Sequence, residues 1–163
     1  MQNLTIKVDF DQFPIRHTCD GDGISPRISV SGSDAPYLAI IMDDPDASHG
    51  TFTHWLAWNI PSTNEIPEGV PPESSISKPI SAIQGMNDYK KAGYGGPCPS
   101  RGKSHRYFIR VWSTKERLNL KPGAERVELE NELAATATGY GEAMATYIRE
   151  ELPRETPEIR SHT

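Results

Sequence analysis

The sequence predicts a mainly β protein, a sandwich of short strands with one or two helices at its C-terminal end. Three observations predict it. The chain has 163 residues with 14 Pro and 13 Gly, punctuation that suits many turns better than a helical bundle. Its apolar residues come in short alternating or continuous runs, the pattern of strands. Helical spacing appears only near the end, over residues 125–151. This length fits one domain, assigned to 1–152, followed by a polar tail over 153–163.

The elements follow in order. Leu4, Ile6, Val8 and Phe10 alternate, so residues 4–10 read as a half-buried strand. TCDGDGISP (18–26) is a loop by composition. Ile28 to Ser31 reads as a short strand. Leu38 to Met42, LAIIM, is continuously apolar, as expected of a central strand buried on both faces. It runs into the turn DDPDASHGT (43–51). Phe52 to Ile60 is another strand, closed by Pro61. Residues 61–80 carry five prolines and read as an irregular surface segment, long enough to hint at a function. Residues 82–99 continue as loop, and Arg106 to Trp112 is a strand. Beyond it, Leu133, Ala137, Tyr140, Met144 and Ile148 recur at helical spacing. Gly139 and Gly141 would each cost a helix about 1 kcal/mol, which implies a kink or two separate helices.

Composition narrows the function classes. The formal net charge is −5 and no basic run occurs, so nucleic acid and anionic membrane surfaces are excluded as electrostatic partners. Any anion must be held by a local site. No stretch is apolar for 18 residues, so no membrane span is expected. The start, MQNLTIKVDF, lacks a signal-peptide layout, and the expected location is the cytoplasm. Cys19 and Cys98 form neither a disulfide framework nor a metal-ligand spacing. They read as two reduced thiols, with a single bridge as the alternative. No phosphate-binding loop, HExxH or cofactor motif is present, and no metal or cofactor is expected.

Three stretches concentrate polar groups beside strand ends. Asp44 ends the LAIIM strand, with Asp46 two residues on. On the next strand Phe52, His54, Leu56 and Trp58 share a face by alternation. His54 is then partly buried and needs a partner, for which a carboxylate is suited. His105 and Tyr107 also point to one face of their strand. The loop QGMNDY (84–89) supplies Asn87 and Asp88. Each has a plainer reading. Buried histidines are usually satisfied core residues, two aspartates in a turn are usually turn chemistry, and GYGGPCP alone is a tight loop. His17, His49 and His162 read as surface residues.

Together the stretches are more specific. DDPDAS…THWLAWNIP and GYGGPCPSRGKSHRY resemble the two signature regions of the phosphatidylethanolamine-binding protein family, which includes the Raf kinase inhibitor proteins, plant flowering-time regulators and small prokaryotic members. The chain looks like the small prokaryotic type, and the resemblance runs from TCDGDGISP to ATYIRE. It departs from the family pattern at Arg27, Val30, Ser48 and Ser100, which bears on ligand choice more than on fold. The resemblance implies an antiparallel β-sandwich of Greek-key type with a small pocket at one end. Carried over by position, the pocket residues are Asp44, Asp46, His54, Gly96, Pro97, His105 and Tyr107. Such a pocket makes chemical sense. Two histidines and a phenol can donate to an anion, Gly95 and Gly96 admit a close backbone approach, and Asp44 can orient His54 or His105.

The implied function is a non-enzymatic binding module for a small anion, phosphate or a phospholipid head group. Relatives inhibit protein kinases or serine proteases, so a protein partner of either kind follows from the resemblance. The oligomeric state stays open, a homodimer included. Two other readings compete: a serine protease inhibitor acting through the 61–80 loop, and a Cys–His hydrolase with Cys98 as nucleophile and His105 as base. Against the last, Cys98 lies between two prolines with no helix N-terminus to stabilise a thiolate.

Overall fold

A computed structural model describes residues 1–151. Two sheets form the frame. The larger has seven strands in the order β1 (Gln2–Asn3), β10 (Ala137–Ile148), β9 (Ser104–Thr114), β4 (Tyr37–Asp44), β5 (Phe52–Pro61), β8 (Ala82–Gln84) and β7 (Ser75–Ile76). The smaller has three, β2 (Thr5–Lys7), β3 (Ile28–Ser31) and β6 (Glu65–Ile66). All pairs are antiparallel except β1 with β10.

The unbroken LAIIM run does what a two-sided central strand must. Leu38, Ile40 and Met42 face the small sheet, meeting Ile6, Ile28, Val30 and Ile66 in the main core. Ala39 and Ile41 face the other way, onto Leu118, Leu129 and Leu133. That second layer is covered by the only α-helix among the described residues, α1 (Arg126–Thr136). Glu125 starts it with a reciprocal capping box: its side chain accepts from the N–H of Glu128, and the Glu128 side chain accepts from the N–H of Glu125. The mainly β sandwich with a helix packed on it is as the sequence predicts.

Four expectations are corrected. The helical reading of 125–151 holds only to Thr136; residues 137–148 form β10, the longest strand. Its inward face is Gly139, Gly141, Ala145 and Tyr147, so small residues hid the period-2 signal. Gly141 leaves room for the backbone of Leu4 to cross it, and a Cβ there would collide with the Leu4 carbonyl. The strand read over 4–10 is shorter, β2 over Thr5–Lys7, because it finds a ladder partner in β3 only at those three residues. Cys19 and Cys98 are joined as a disulfide, so the reduced-thiol reading fails. Their neighbouring backbones are already in register, since the Cys19 N–H donates to the Pro97 carbonyl at 3.1 Å. His17, read as a surface residue, is 1% exposed against Phe10 and Phe13. His162 and the 153–163 tail lie outside the described residues. Among the described residues no helix is long and apolar enough to cross a membrane.

Candidate functional site

Strands β4, β5 and β9 lie side by side, and at one end they converge on an open cavity of about 480 Å³. Asp44, His54, His105 and Tyr107 line it, together with Asp88, Tyr89 and the segment Cys98–Ser100. Alternation explains three of the four. Met42 faces the main core, so Asp44, two residues on, faces the same way. Tyr107 and Ile109 face it from β9, so His105 does too.

His54 arrives by a different route. In β5 the partners Trp55 of Met42 and Thr53 of Asp43 are two apart while their mates are adjacent, so His54 is an extra residue. This bulge turns His54 away from the face of Leu56 and Trp58, where simple alternation puts it. Its ring meets Tyr107 edge-on, with centroids 5.3 Å apart.

The hydrogen bonds define what the two imidazoles can do. His54 Nδ1 donates to the Gly95 carbonyl at 2.7 Å, and His105 Nδ1 donates to Asp44 Oδ2 at 2.7 Å. Both acceptors lack a proton to give, so both rings carry theirs on Nδ1. The second nitrogen, Nε2, is a lone pair in the neutral ring and a charge-assisted donor in the protonated one. Burial lowers the pKa of His54, opposed by its bond to Gly95 and by the field of Asp44. Asp44 also accepts from the Asp46 N–H at 2.8 Å, which ties the carboxylate down on its other side.

The Tyr107 hydroxyl is fully buried and makes no well-formed hydrogen bond within the protein, although the Asp44 carboxylate lies close enough to act on it. Burial, then the nearby Asp44 charge, raises its pKa, so it is a neutral donor at any ordinary pH. A buried polar group without a partner is rare and points to a ligand atom or water that completes it.

Of the seven residues carried over by position, four line this cavity and three do not. Asp46 is turned outward, where Arg106 holds it with its backbone N–H, Nε and NH2, each at 2.9 Å. The Arg106 side-chain bonds, then its backbone N–H, hold the Asp46 carboxyl down to about 2. Gly96 lines a neighbouring cavity, and Pro97 is buried behind the loop. The Gly95 N–H, expected to face an anion, is taken by the His54 carbonyl at 2.8 Å. Of the four departures, Ser48 and Ser100 line the cavity, whereas Arg27 pairs with Asp9 and Glu65 and Val30 is core. Sequence reasoning missed Phe52 and Tyr89 as lining residues. Tyr89 follows Asn87 and Asp88 directly, and its ring packs on Phe52 at 4.8 Å. Among the described residues no cluster of side chains could hold a metal ion.

The site is thus a small pocket of two oriented histidines, a carboxylate and a buried phenol at the strand ends of a β-sandwich, and comparison with known sequences gives the family. The phosphatidylethanolamine-binding protein family model matches residues 6–148, so the chain belongs to that family. A UPF0098 protein of Pyrococcus horikoshii is 48% identical over 139 residues, covering 83% of this chain and 70% of that protein. Among solved structures, Escherichia coli YbcL, described as a new member of the mammalian family, superposes with a TM-score of 0.80 at 26% identity, over 90% of this chain and 99% of that one. A family homolog from Chlamydia trachomatis gives 0.77 at 28% identity, over 91% and 98%.

Proposed function

We propose that the protein is a non-enzymatic binding protein whose pocket holds a small anion of the phosphate-monoester type. One observation carries the reading: Tyr107, whose buried hydroxyl lacks a well-formed hydrogen bond, lines the same cavity as the histidines His54 and His105. These groups converge on a volume that suits one small ligand. Tyr107 supplies a donor at all ordinary pH values. His54 and His105 supply donors once protonated, and Asp44 then neutralises the charge on His105. A monoanion bearing its own P–OH also satisfies a neutral Nε2 by donating to it. The acidic surroundings, Asp44 and Asp88, leave affinity to the protonated histidines and to Lys90 at the rim. Anion affinity therefore rises as pH falls through the His54 titration.

Binding without turnover fits the chain better than hydrolysis does. The thiol that a Cys–His mechanism needs is bonded to Cys19. The test is a two-dimensional NMR titration with phosphate and then phosphoethanolamine, repeated on His54→Ala. Saturable shifts clustered on His54, His105 and Tyr107, absent in the variant, are expected. No shifts at millimolar ligand would sink the reading.

A further inference from the structure

Both cysteines of the Cys19–Cys98 bridge are exposed. A second cavity, of about 750 Å³, opens beside the histidine pocket, and both cysteines line it. Tyr89 and Cys98 line the two cavities together, so the bridge belongs to the wall between them. An exposed disulfide is open to attack by an external thiolate, and bridges of that kind are the labile ones.

The two ends of the bridge are held differently. The Cys19 loop is fastened without it. Asp20 accepts from the Tyr147 hydroxyl and, at 3.0 Å, from Arg149 NH2. The Tyr94 hydroxyl donates to the His17 carbonyl at 2.7 Å. Gly96 packs so closely on this loop that a Cβ would strike the His17 carbonyl and Thr18. The Cys19 bond to the Pro97 carbonyl is the last tie on the other side. Beyond it, among the described residues, no main-chain group of residues 98–101 bonds to another segment. The next anchors are the Gly102 N–H, which donates to the Arg149 carbonyl at 2.7 Å, and Arg101 NH1, which donates to the Glu150 carbonyl at 3.0 Å. Between these points the buried Pro99 and the disulfide hold a turn that lines the pocket.

We propose that the bridge is a thiol–disulfide exchange site: a dithiol reductant opens it, and opening releases the turn 98–101 from the pocket wall. The step is a two-electron exchange. A thiolate of the reductant attacks one cysteine sulfur, the S–S bond breaks, and the other cysteine leaves as a thiolate that takes up a proton. The reductant's second thiolate then displaces the first cysteine and closes the reductant's own disulfide. The protein gains two electrons and two protons, and the reductant loses them. Re-formation is guided, because the Cys19–Pro97 hydrogen bond and the Gly96 contact keep the two backbones together when the sulfurs part. The exchange requires no particular occupant of the cavity.

The experiment treats the full chain with dithiothreitol in the absence of denaturant. Alkylation and mass spectrometry count free thiols while two-dimensional NMR follows the fold. Reduction is expected to go to completion at a rate set by the dithiothreitol concentration, with the signals of both sheets in place. Shifts should cluster at Cys19, residues 98–103 and the pocket-facing His105 and Tyr107, and amide exchange at Ser100 and Arg101 should rise at least about tenfold. Oxidised glutathione should restore the original spectrum. The double variant Cys19→Ser, Cys98→Ser should reproduce the reduced spectrum; reduction of the unaltered chain decides the matter where that variant folds poorly. A lower thermal midpoint accompanies loss of any link across 79 positions, so the local signals carry the test. Reduction only as fast as the chain unfolds, whatever the dithiothreitol concentration, would make the bridge purely structural, as would loss of the whole native spectrum. Reduction that leaves His105, Tyr107 and residues 98–103 unmoved would show that the bridge does not hold the wall.

Discussion

Asp43 and Asp44 are neighbours on β4, both almost fully buried, and they do opposite jobs. Asp43 faces the helix-covered side. There Arg110 reaches it with Nε at 3.1 Å and NH2 at 3.2 Å, and Arg126 with NH2 at 2.9 Å, while Arg126 NH1 also donates to the Thr53 hydroxyl. Permanent cations fill its lone pairs, and neither of the two cavities described above touches it. Asp44 faces the open end, where its side-chain partner is a titratable histidine and its neighbour is a phenol without a well-formed hydrogen bond. The same residue type, one position apart, makes a structural clamp on one face and a binding site on the other. What separates them is how completely each polar neighbourhood is satisfied.

Breaking the clamp should produce the largest effect. Asp43→Asn removes the buried carboxylate that both guanidiniums share, leaving them only the more exposed Glu142 and Glu130, and should cost about 3 kcal/mol in urea unfolding, with phosphate binding unchanged. A cost under 1 kcal/mol would show that the arginines are adequately solvated without it.

Acid should sharpen the contrast next. Burial lowers the pKa of both His54 and His17. Below the unfolded value of about 6.5 the unfolded chain binds more protons on these rings than the folded one, so stability falls as pH drops through that window. Replacing His54 with Gln should flatten the slope of stability against pH, read by denaturation at several pH values. An unchanged slope would mean that His54 is not held neutral by the fold.

Tyr107→Phe should separate the two regions by sign. Removing a buried hydroxyl that lacks a well-formed hydrogen bond should leave the protein as stable as before, or about 1 kcal/mol more stable, while weakening phosphate binding about tenfold. A residue that lowers affinity when changed but does not lower stability belongs to a site. Loss of stability instead would show that the hydroxyl is satisfied within the fold. The smallest effect belongs to Asp44→Asn, which keeps the shape and should change stability by less than about 1 kcal/mol. Its signature is spectroscopic: His105 should lose its single Nδ1–H tautomer in long-range proton–nitrogen spectra. A His105 ring that keeps one tautomer in the variant would remove Asp44 as its orienting group.

Much of the molecule was legible in the sequence, and the reasons differ by region. LAIIM reads as a two-faced central strand because its hydrophobicity has no polar gap, and β4 is buried from Leu38 onward. His105 and Tyr107 read as one face because β9 is regular. Asp44 was assigned as an orienting group before its partner could be chosen, and the structure pairs it with His105. His54 was placed on the wrong face, since a bulge changes phase without changing composition. The strand β10 reads as helix because all but one of its inward residues, Tyr147, are glycine or alanine.

The sequence by itself determined the β class, the two central strands, the histidine–tyrosine face and the family, because these depend on local period and on motifs contiguous in the chain. Only the tertiary structure decided that Asp46 serves Arg106 and not the pocket, that Cys19 and Cys98 meet across 79 positions, and that Tyr89 stands between two cavities. Those outcomes depend on which distant backbones approach and which polar groups are left without partners. Neither quantity exists until the chain has closed on itself.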